Sequence, residues 1–305
     1  MSSPDTSLSK RLAHPALRPA GLTPLLGGDA ARDRAYVNRL LDAWAAQGFT
    51  QVAPTQIDDA EILLAEQSPE VQNRAFRFMD PQNGTMLALL PDVTLGIARL
   101  AAGELAAAAR PLRLSYEGQA IRVYGSTARP TRQFGQVGLE VIGADAQTPQ
   151  ALISLALSSL KALGLAELHL CLVFPPLAKA LLAARGLPEK LAQALDRKDE
   201  GTIRALAGDQ AAPLLAILGG ELDGEPALQN LKQLQAQLAA AHGDVELRCE
   251  PFEQRGFGFQ TGPAFAVYSP HFHGEIGRGG AYRSGGEACF GFTLYRDALL
   301  ATLRD

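Results

Sequence analysis

The stretch TRQFGQVGLEVIG, residues 131–143, alternates like a β-strand, but not like one built only for packing. Gln133, Gly135, Val137, Leu139 and Val141 fall on one side and are mostly apolar. Phe134, Gln136, Gly138, Glu140 and Ile142 fall on the other. An amide and a carboxylate therefore stand two positions either side of a residue with no side chain, which packing does not require.

The preceding stretch LRLSYEGQAIRVYG, residues 112–125, reads as a second strand, joined to the first by a polar loop. Arg122 lies at its end, and Arg129 and Arg132 flank the start of the next strand. Arginines at a hairpin mouth suit a phosphate or carboxylate, because the planar guanidinium donates two parallel hydrogen bonds. Gln136 and Glu140 farther along suit an ammonium or an imidazole. Cross-strand ion pairing on a solvated sheet face would use the same residue types, and the pattern leaves both readings open.

Working outward, GGDAARDRAYVNRLLDAWAAQGF predicts a helix with Asp29 as candidate N-cap, an apolar stripe of Val37, Leu40, Leu41 and Trp44, and a stop at Gly48. FTQVAPTQI predicts a strand carrying a proline, and RAFRFMDPQNGTMLALL a hairpin turning at 81–84. Pro91 and Asp92 open a helix, in which Asp92 is a natural N-cap and Thr94 sits in the first turn. PQALISLALSSLKALGL is a further helix and LHLCLVF a buried strand. Residues 175–243 change to helix formers with little β-branching, which predicts a helical insertion. Strand character returns with DVELRCE, AFAVYS and ACFGFTLYR before a last helix. The order predicts a single α+β domain over 1–305 with a mainly antiparallel sheet flanked by helices, not the βαβ alternation of a dinucleotide-binding fold. The Pro- and Ser-rich first twenty residues are expected to be loosely ordered.

Charged residues make up 20% and hydrophobic ones 47%, which excludes a disordered chain. The net charge of −4, without a dense Lys/Arg run, gives no support to nucleic-acid binding. Three widely spaced cysteines form neither a disulfide framework nor a CxxC metal site, and no secretory leader or membrane-spanning stretch is evident, so a cytoplasmic protein is expected. No phosphate loop, nucleophile elbow or Cys/His pairing occurs, so no cofactor is expected. His271 and His273 near Glu275 are a weak metal pattern, and a solvated loop is the preferred reading.

AIRVYGSTARPTRQFGQVGLEVIGAD resembles motif 2 of class II aminoacyl-tRNA synthetases in its histidyl form, with Arg122, Arg132, Gln133, Phe134, Gln136 and Glu140 at matching spacing. LLPDVTLGIARLAA is similar to the segment that holds the amino group of histidine, and GFTQVAPTQI to the dimer-forming motif 1, with its proline at Pro54. GRGGAYR resembles a Gly-Gly-Arg-Tyr-Asp turn, and TLYRDALLATL the end of motif 3, with its arginine at Arg296. The departures fall on the catalytic positions. In RGFGFQTG, Gly262 stands where synthetases carry an arginine, and Gly258, Phe259 and Gln260 replace Asp-Tyr-Tyr. Tyr124 replaces the motif 2 glutamate, Leu90 an arginine, and Ala281 and Arg283 the Arg and Asp of the turn. Activating an amino acid needs preorganised positive charge on the adenylate transition state, so these losses imply a scaffold kept without its chemistry.

That description is similar to the family of ATP phosphoribosyltransferase regulatory subunits, synthetase paralogues without an anticodon-binding domain; GLPEKLAQALDRKDEGTIRAL resembles their helical insert. The resemblance implies a non-catalytic chain that forms a homodimer and assembles with a short catalytic subunit of ATP phosphoribosyltransferase. The catalytic subunit would depend on it for activity in the first step of histidine biosynthesis, and histidine would act through it. It also implies a histidine-like pocket made by Asp92, Thr94, Arg122, Gln136, Glu140 and Tyr282, although Tyr282 equally reads as a packing residue. The alternatives are a synthetase-like enzyme acting without tRNA anticodon recognition and a stand-alone dimeric amino-acid sensor.

Overall fold

The computed structural model describes residues 19–65, 67–126, 129–221, 226–254 and 257–303. The N-terminal residues expected to be loosely ordered lie almost entirely outside this set, as do Arg255 and Gly256 of RGFGFQTG.

Eight strands form one sheet in the order β1-β5-β6-β11-β10-β9-β7-β8, and three form a small sheet in the order β2-β4-β3. The strands are β1 (Thr50–Val52), β2 (Ile57–Asp59), β3 (Arg77–Met79), β4 (Met86–Leu89), β5 (Leu112–Ile121) and β6 (Gln133–Ile142), followed by β7 (His169–Val173), β8 (Glu246–Glu250), β9 (Ala264–Tyr268), β10 (Glu275–Ser284) and β11 (Glu287–Tyr295). The large sheet is antiparallel through its middle, as expected. Its two outermost pairings, β1 with β5 and β7 with β8, are parallel.

β6 is the stretch quoted at the outset, and its two sides meet different neighbours. It is hydrogen-bonded to β5 along its whole length, with Tyr116 opposite Gly138 and Leu114 opposite Glu140, and on its other edge to β11, with Gly291 opposite Glu140. Val137, Leu139 and Val141 enter the main core with Val37, Leu40, Leu41 and Trp44 of helix Gly27–Ala45 and Leu152, Ile153, Ala156 and Leu157 of helix Thr148–Leu163. Trp44 packs edge-on against Phe292 at 5.7 Å and donates its indole N–H to Ser159 at 2.9 Å, so the one polar atom of the largest core ring is satisfied. The opposite side of β6 faces helix Val93–Ala102, where Val93, Ile97 and Ala101 pack with Tyr116, Ile142 and Tyr282.

Three local expectations are corrected. Asp29 is not an N-cap: helix Gly27–Ala45 begins before it, and Asp29 pairs with Arg32 inside the first turn. The strand predicted over FTQVAPTQI is broken into β1 and β2. Pro54 has no N–H to give a sheet and lies against Gly96 of helix Val93–Ala102, where an added Cβ would sit 2.7 Å from the proline ring. GRGGAYR is not a turn: it lies wholly within β10, and the turn follows at Gly285 and Gly286, both with positive φ. The hairpin with its turn over 81–84 forms as β3 and β4.

Between β7 and β8 the described chain is helical, through Leu177–Ala184, Leu191–Asp196, Glu200–Ala207, Ala211–Leu218 and Pro226–Ala241. Its leucines, among them Leu177, Leu195, Leu214, Leu231 and Leu238, join the main core cluster. Among the described residues no helix is long and apolar enough to cross a membrane.

Candidate functional site

Strand pairing makes the floor of the site. Residues in register across an antiparallel sheet share a face, so one row runs Tyr116, Gly138, Thr293, Arg278, Ala266 and the next Leu114, Glu140, Gly291, Gly280, Ala264. Glycines at the centre of both rows leave a hollow that larger side chains border. A Cβ on Gly291 would collide with the Glu140 carboxylate, and one on Gly138 would lie 2.6 Å from the Tyr116 hydroxyl. These glycines are required by close approach rather than by a turn.

The hollow is a cavity of about 150 Å3, roofed by the start of helix Val93–Ala102 and by residues 258–260. Asp92, Thr94, Arg122, Glu140 and Tyr282 all line it, together with Arg278, Gln260 and the ion pair Glu70–Arg74. Gln136 does not. It is completely buried beneath the helix, where its Oε1 accepts the backbone N–H of Val93 at 2.8 Å. That bond satisfies an orphan donor at the helix N-terminus, which Asp92 also caps by accepting from the N–H of Thr94 at 3.2 Å. The amide of Gln136 thus sets the position of the roof.

Glu140 is the electrostatic centre. Thr94 Oγ1 donates to its Oε1 at 3.0 Å and the Tyr282 hydroxyl to its Oε2 at 2.9 Å, and no cation pairs with it among the described residues. Burial raises its pKa to about 8, against the two hydrogen bonds, which pull it down. Burial also drives the Tyr116 and Tyr282 hydroxyls well above the usual tyrosine range, so both stay neutral donors. A carboxyl in this setting is ready to meet an ammonium or imidazolium, whose charge would replace the missing partner.

The arginines are placed differently. Arg122 donates to Pro91 O at 2.8 Å and to Asp92 at 3.3 Å, and lies 4.8 Å over the Phe134 ring. Arg129 pairs with Asp297 and lies 3.9 Å over Tyr295, while Arg132 donates to Arg122 O at 3.2 Å. Arg296 pairs with Asp33 through two guanidinium nitrogens and with Glu117 at 3.0 Å, reaching them across Gly135 on the core side of β6. Tyr124 is about half exposed. Gly262 lies outside the Glu140 cavity and borders a separate groove of about 560 Å3 with Pro263, Phe174 and Gln147. At the described positions matched to synthetase motifs, the arginines are thus bound to this chain's own acceptors, and Gly262 carries no charge. His271 and His273 gather no metal-binding cluster among the described residues.

Two cavity residues were not singled out from the sequence. Arg278 reads as one more polar residue in a glycine-rich run, but period two along β10 places it on the same side as Gly280 and Tyr282. Gln260 reads as a lost tyrosine, yet it is buried against the floor at Gly280.

A family model described as histidyl-tRNA synthetase matches residues 21–299. The ATP phosphoribosyltransferase regulatory subunit of Rhodospirillum rubrum is 40% identical, covering 96% of this chain and 83% of that protein. The regulatory subunit of Rhodospirillum centenum is 37% identical, covering 94% and 81%. Among solved structures, an ATP phosphoribosyltransferase regulatory subunit/histidyl-tRNA synthetase from Bacillus halodurans superposes with a TM-score of 0.79 at 21% identity, over 94% of this chain and 83% of the other. A chain of the ATP phosphoribosyl transferase (HisG:HisZ) complex from Thermotoga maritima gives 0.68 at 15% identity, over 87% and 97%. The structural likenesses establish the histidyl-tRNA synthetase-like class II fold. On its sequence relatives, the chain belongs to the family of ATP phosphoribosyltransferase regulatory subunits, a regulatory rather than a catalytic component of histidine biosynthesis.

Proposed function

We propose that this chain assembles with a short catalytic subunit of ATP phosphoribosyltransferase, is required for that subunit's activity, and conveys feedback inhibition by histidine held in the Glu140 cavity. The observation that carries this reading is a contrast among the positions that match synthetase motifs. Arg122 and Arg296 are occupied by the protein's own acceptors and Gly262 offers no charge, whereas Glu140, Thr94 and Tyr282 still converge on an enclosed hollow. A site that binds but cannot activate is what a sensor needs. Inhibition then follows if histidine binds more tightly to the less active state of the complex. The solved complex described as ATP phosphoribosyl transferase (HisG:HisZ) supports assembly with a catalytic partner.

The chain is also proposed to be a homodimer within that assembly. Ile57 of β2 and Phe78 of β3, 43% and 38% exposed, share one face of the small sheet with the partly buried Leu87 and Leu89. That apolar face lies close in sequence to the motif 1 segment around Pro54, and a second copy would cover it.

The test is reconstitution. The purified catalytic subunit should be feeble alone, this chain silent alone, and the mixture active in ATP phosphoribosyl transfer and inhibited by histidine. A catalytic subunit that is fully active alone and indifferent to this chain would sink the proposal.

A further inference from the structure

Near the edge of the cavity farther from Glu140 lie two buried polar atoms that nothing among the described residues satisfies: Arg278 Nη2 and Gln260 Oε1. Such orphans are uncommon, because an unpaired buried donor or acceptor forfeits its hydrogen bonds to water. Here one is a cationic donor and the other a neutral acceptor. Arg278 is held by its other atoms: Nε faces Glu275 at 3.4 Å, and the guanidinium lies 4.0 Å over the Phe257 ring. Its orientation is therefore fixed while one nitrogen stays available. Gln260 is anchored by its backbone N–H to Phe257 O at 3.0 Å, and its Oε1 lies over Gly280, 2.8 Å from where a Cβ would stand. The glycine leaves that oxygen room.

The two ends of the hollow are chemically opposite. Glu140 lies on β6 and Arg278 on β10, two strands apart with β11 between them, which is roughly 10 Å across the sheet before the side chains lean inward. Beside Glu140 the floor, Gly291 and Gly280, carries no side chain, and Thr293, opposite Arg278, has its hydroxyl tied to Tyr116 at 2.7 Å. A ligand that spans the gap needs an anionic group at one end and a cationic or hydrogen-donating group at the other.

We propose that Arg278 is the carboxylate anchor of this cavity, and that Gln260 Oε1 accepts an N–H from the same ligand, a free zwitterionic amino acid. The inference rests on reading the cavity as an amino-acid pocket and assigns two residues that fix which chemical class enters it. Among the described arginines that line the cavity, Arg278 is the one with a buried, unpartnered nitrogen, while Arg122 pairs with Asp92 and Arg74 with Glu70, so Arg278 supplies the anchoring charge. Gln260 supplies a neutral acceptor.

The experiment compares L-histidine with histamine, which keeps the ammonium and the imidazole but lacks the carboxylate. Calorimetric titrations use the full chain, alone and with its catalytic subunit. Wild type should bind L-histidine roughly tenfold to a hundredfold more tightly than histamine, the range for one charge-assisted hydrogen bond pair. Arg278→Met should lose that preference, binding both ligands about as weakly as wild type binds histamine. Gln260→Leu should weaken both ligands alike and leave the preference intact. Arg278→Lys, which keeps the charge but not the planar fork, should fall between wild type and Arg278→Met, and it decides the matter should Arg278→Met fail to fold. Equal binding of the two ligands by wild type, or a preference that survives in Arg278→Met, overturns the anchor while leaving the histidine pocket standing. A wild type that binds neither ligand, alone or in complex, overturns the pocket and the anchor together.

Discussion

The two faces of β6 handle buried ionisable groups in opposite ways. On the core side, Arg296 is enclosed by Asp33 and Glu117, with side chains 14%, 10% and 29% exposed, so a cation meets two carboxylates and nothing further is wanted. On the other side, Glu140 is more deeply buried, and among the described residues it meets only hydroxyl donors, while two polar atoms across the floor from it have no partner. The first arrangement is complete without a ligand and belongs to the architecture. The second is complete only with one. A buried ionisable group is thus not in itself the mark of a site; an unbalanced set of donors and acceptors around a hollow is.

The sharpest way to break the comparison is through the glycines. Gly138→Ala should destabilise the protein by about 3 kcal/mol, because the new Cβ runs into the backbone carbonyl of Phe292, which cannot move aside. Gly291→Ala should cost a similar amount alone, but most of that loss should vanish in a Glu140→Ala background, where the colliding carboxylate is gone. Urea unfolding of the single and double variants measures both. Equal, unrecoverable losses would mean that Gly291 serves the sheet and not the site.

Next in size is Arg296→Met, which strands Asp33 and the partly exposed Glu117 and should cost about 2 kcal/mol. The residual folded protein should bind histidine as wild type does, since Arg296 lies on the other face of β6. A large loss of binding in folded Arg296→Met would dissolve the distinction between the two faces.

A pH titration should separate them further. Glu140 holds its proton up to about pH 8 in the folded state, against an ordinary carboxylate value of 4.5 when unfolded. Between those values the folded form binds the extra proton, so stability is greatest at the acidic end and falls as pH rises toward 8, by at most about 1.4 kcal/mol per pH unit. Glu140→Gln should flatten that decline. Binding of a cationic group should also expel the proton, so the apparent binding enthalpy near pH 7 should change with the buffer's ionisation enthalpy, and should not do so in Glu140→Gln. The smallest expected effect is none at all: Gly262→Arg should not produce histidine-dependent ATP–pyrophosphate exchange, because its side chain would start outside the Glu140 cavity and Tyr124 would be unchanged.

The alternation of β6 was legible because a strand's period is two, and its apolar and polar sides do face the main core and the hollow. The Asp92 cap was legible because Pro-Asp-x-Thr is a local signal. Gln136 was not, because its partner is a backbone N–H 43 residues away and only the packed helix brings it there. Arg296 was legible only as a match to the motif 3 arginine, and its pairing was not, because the carboxylate that occupies it lies 263 residues earlier. The strand breaks at Pro54, which has no N–H to give a sheet, but the packing of that ring on Gly96 is a contact that no window around the proline contains. Short-range patterns carried the elements and long-range pairing decided the roles.

The strand order has one consequence for how such a chain is made. β11, the last described strand in sequence, is the fourth of eight in space, with β6 on one side and β10 on the other. A nascent chain still lacking residues 287–295 holds two partial sheets, each ending in a bare edge, and Glu140 has no Gly291 beside it. Those edges are templates for other chains until the last strand slides between them. Synthesis therefore delivers the keystone after the other described strands of the sheet, and the cavity cannot form before it arrives.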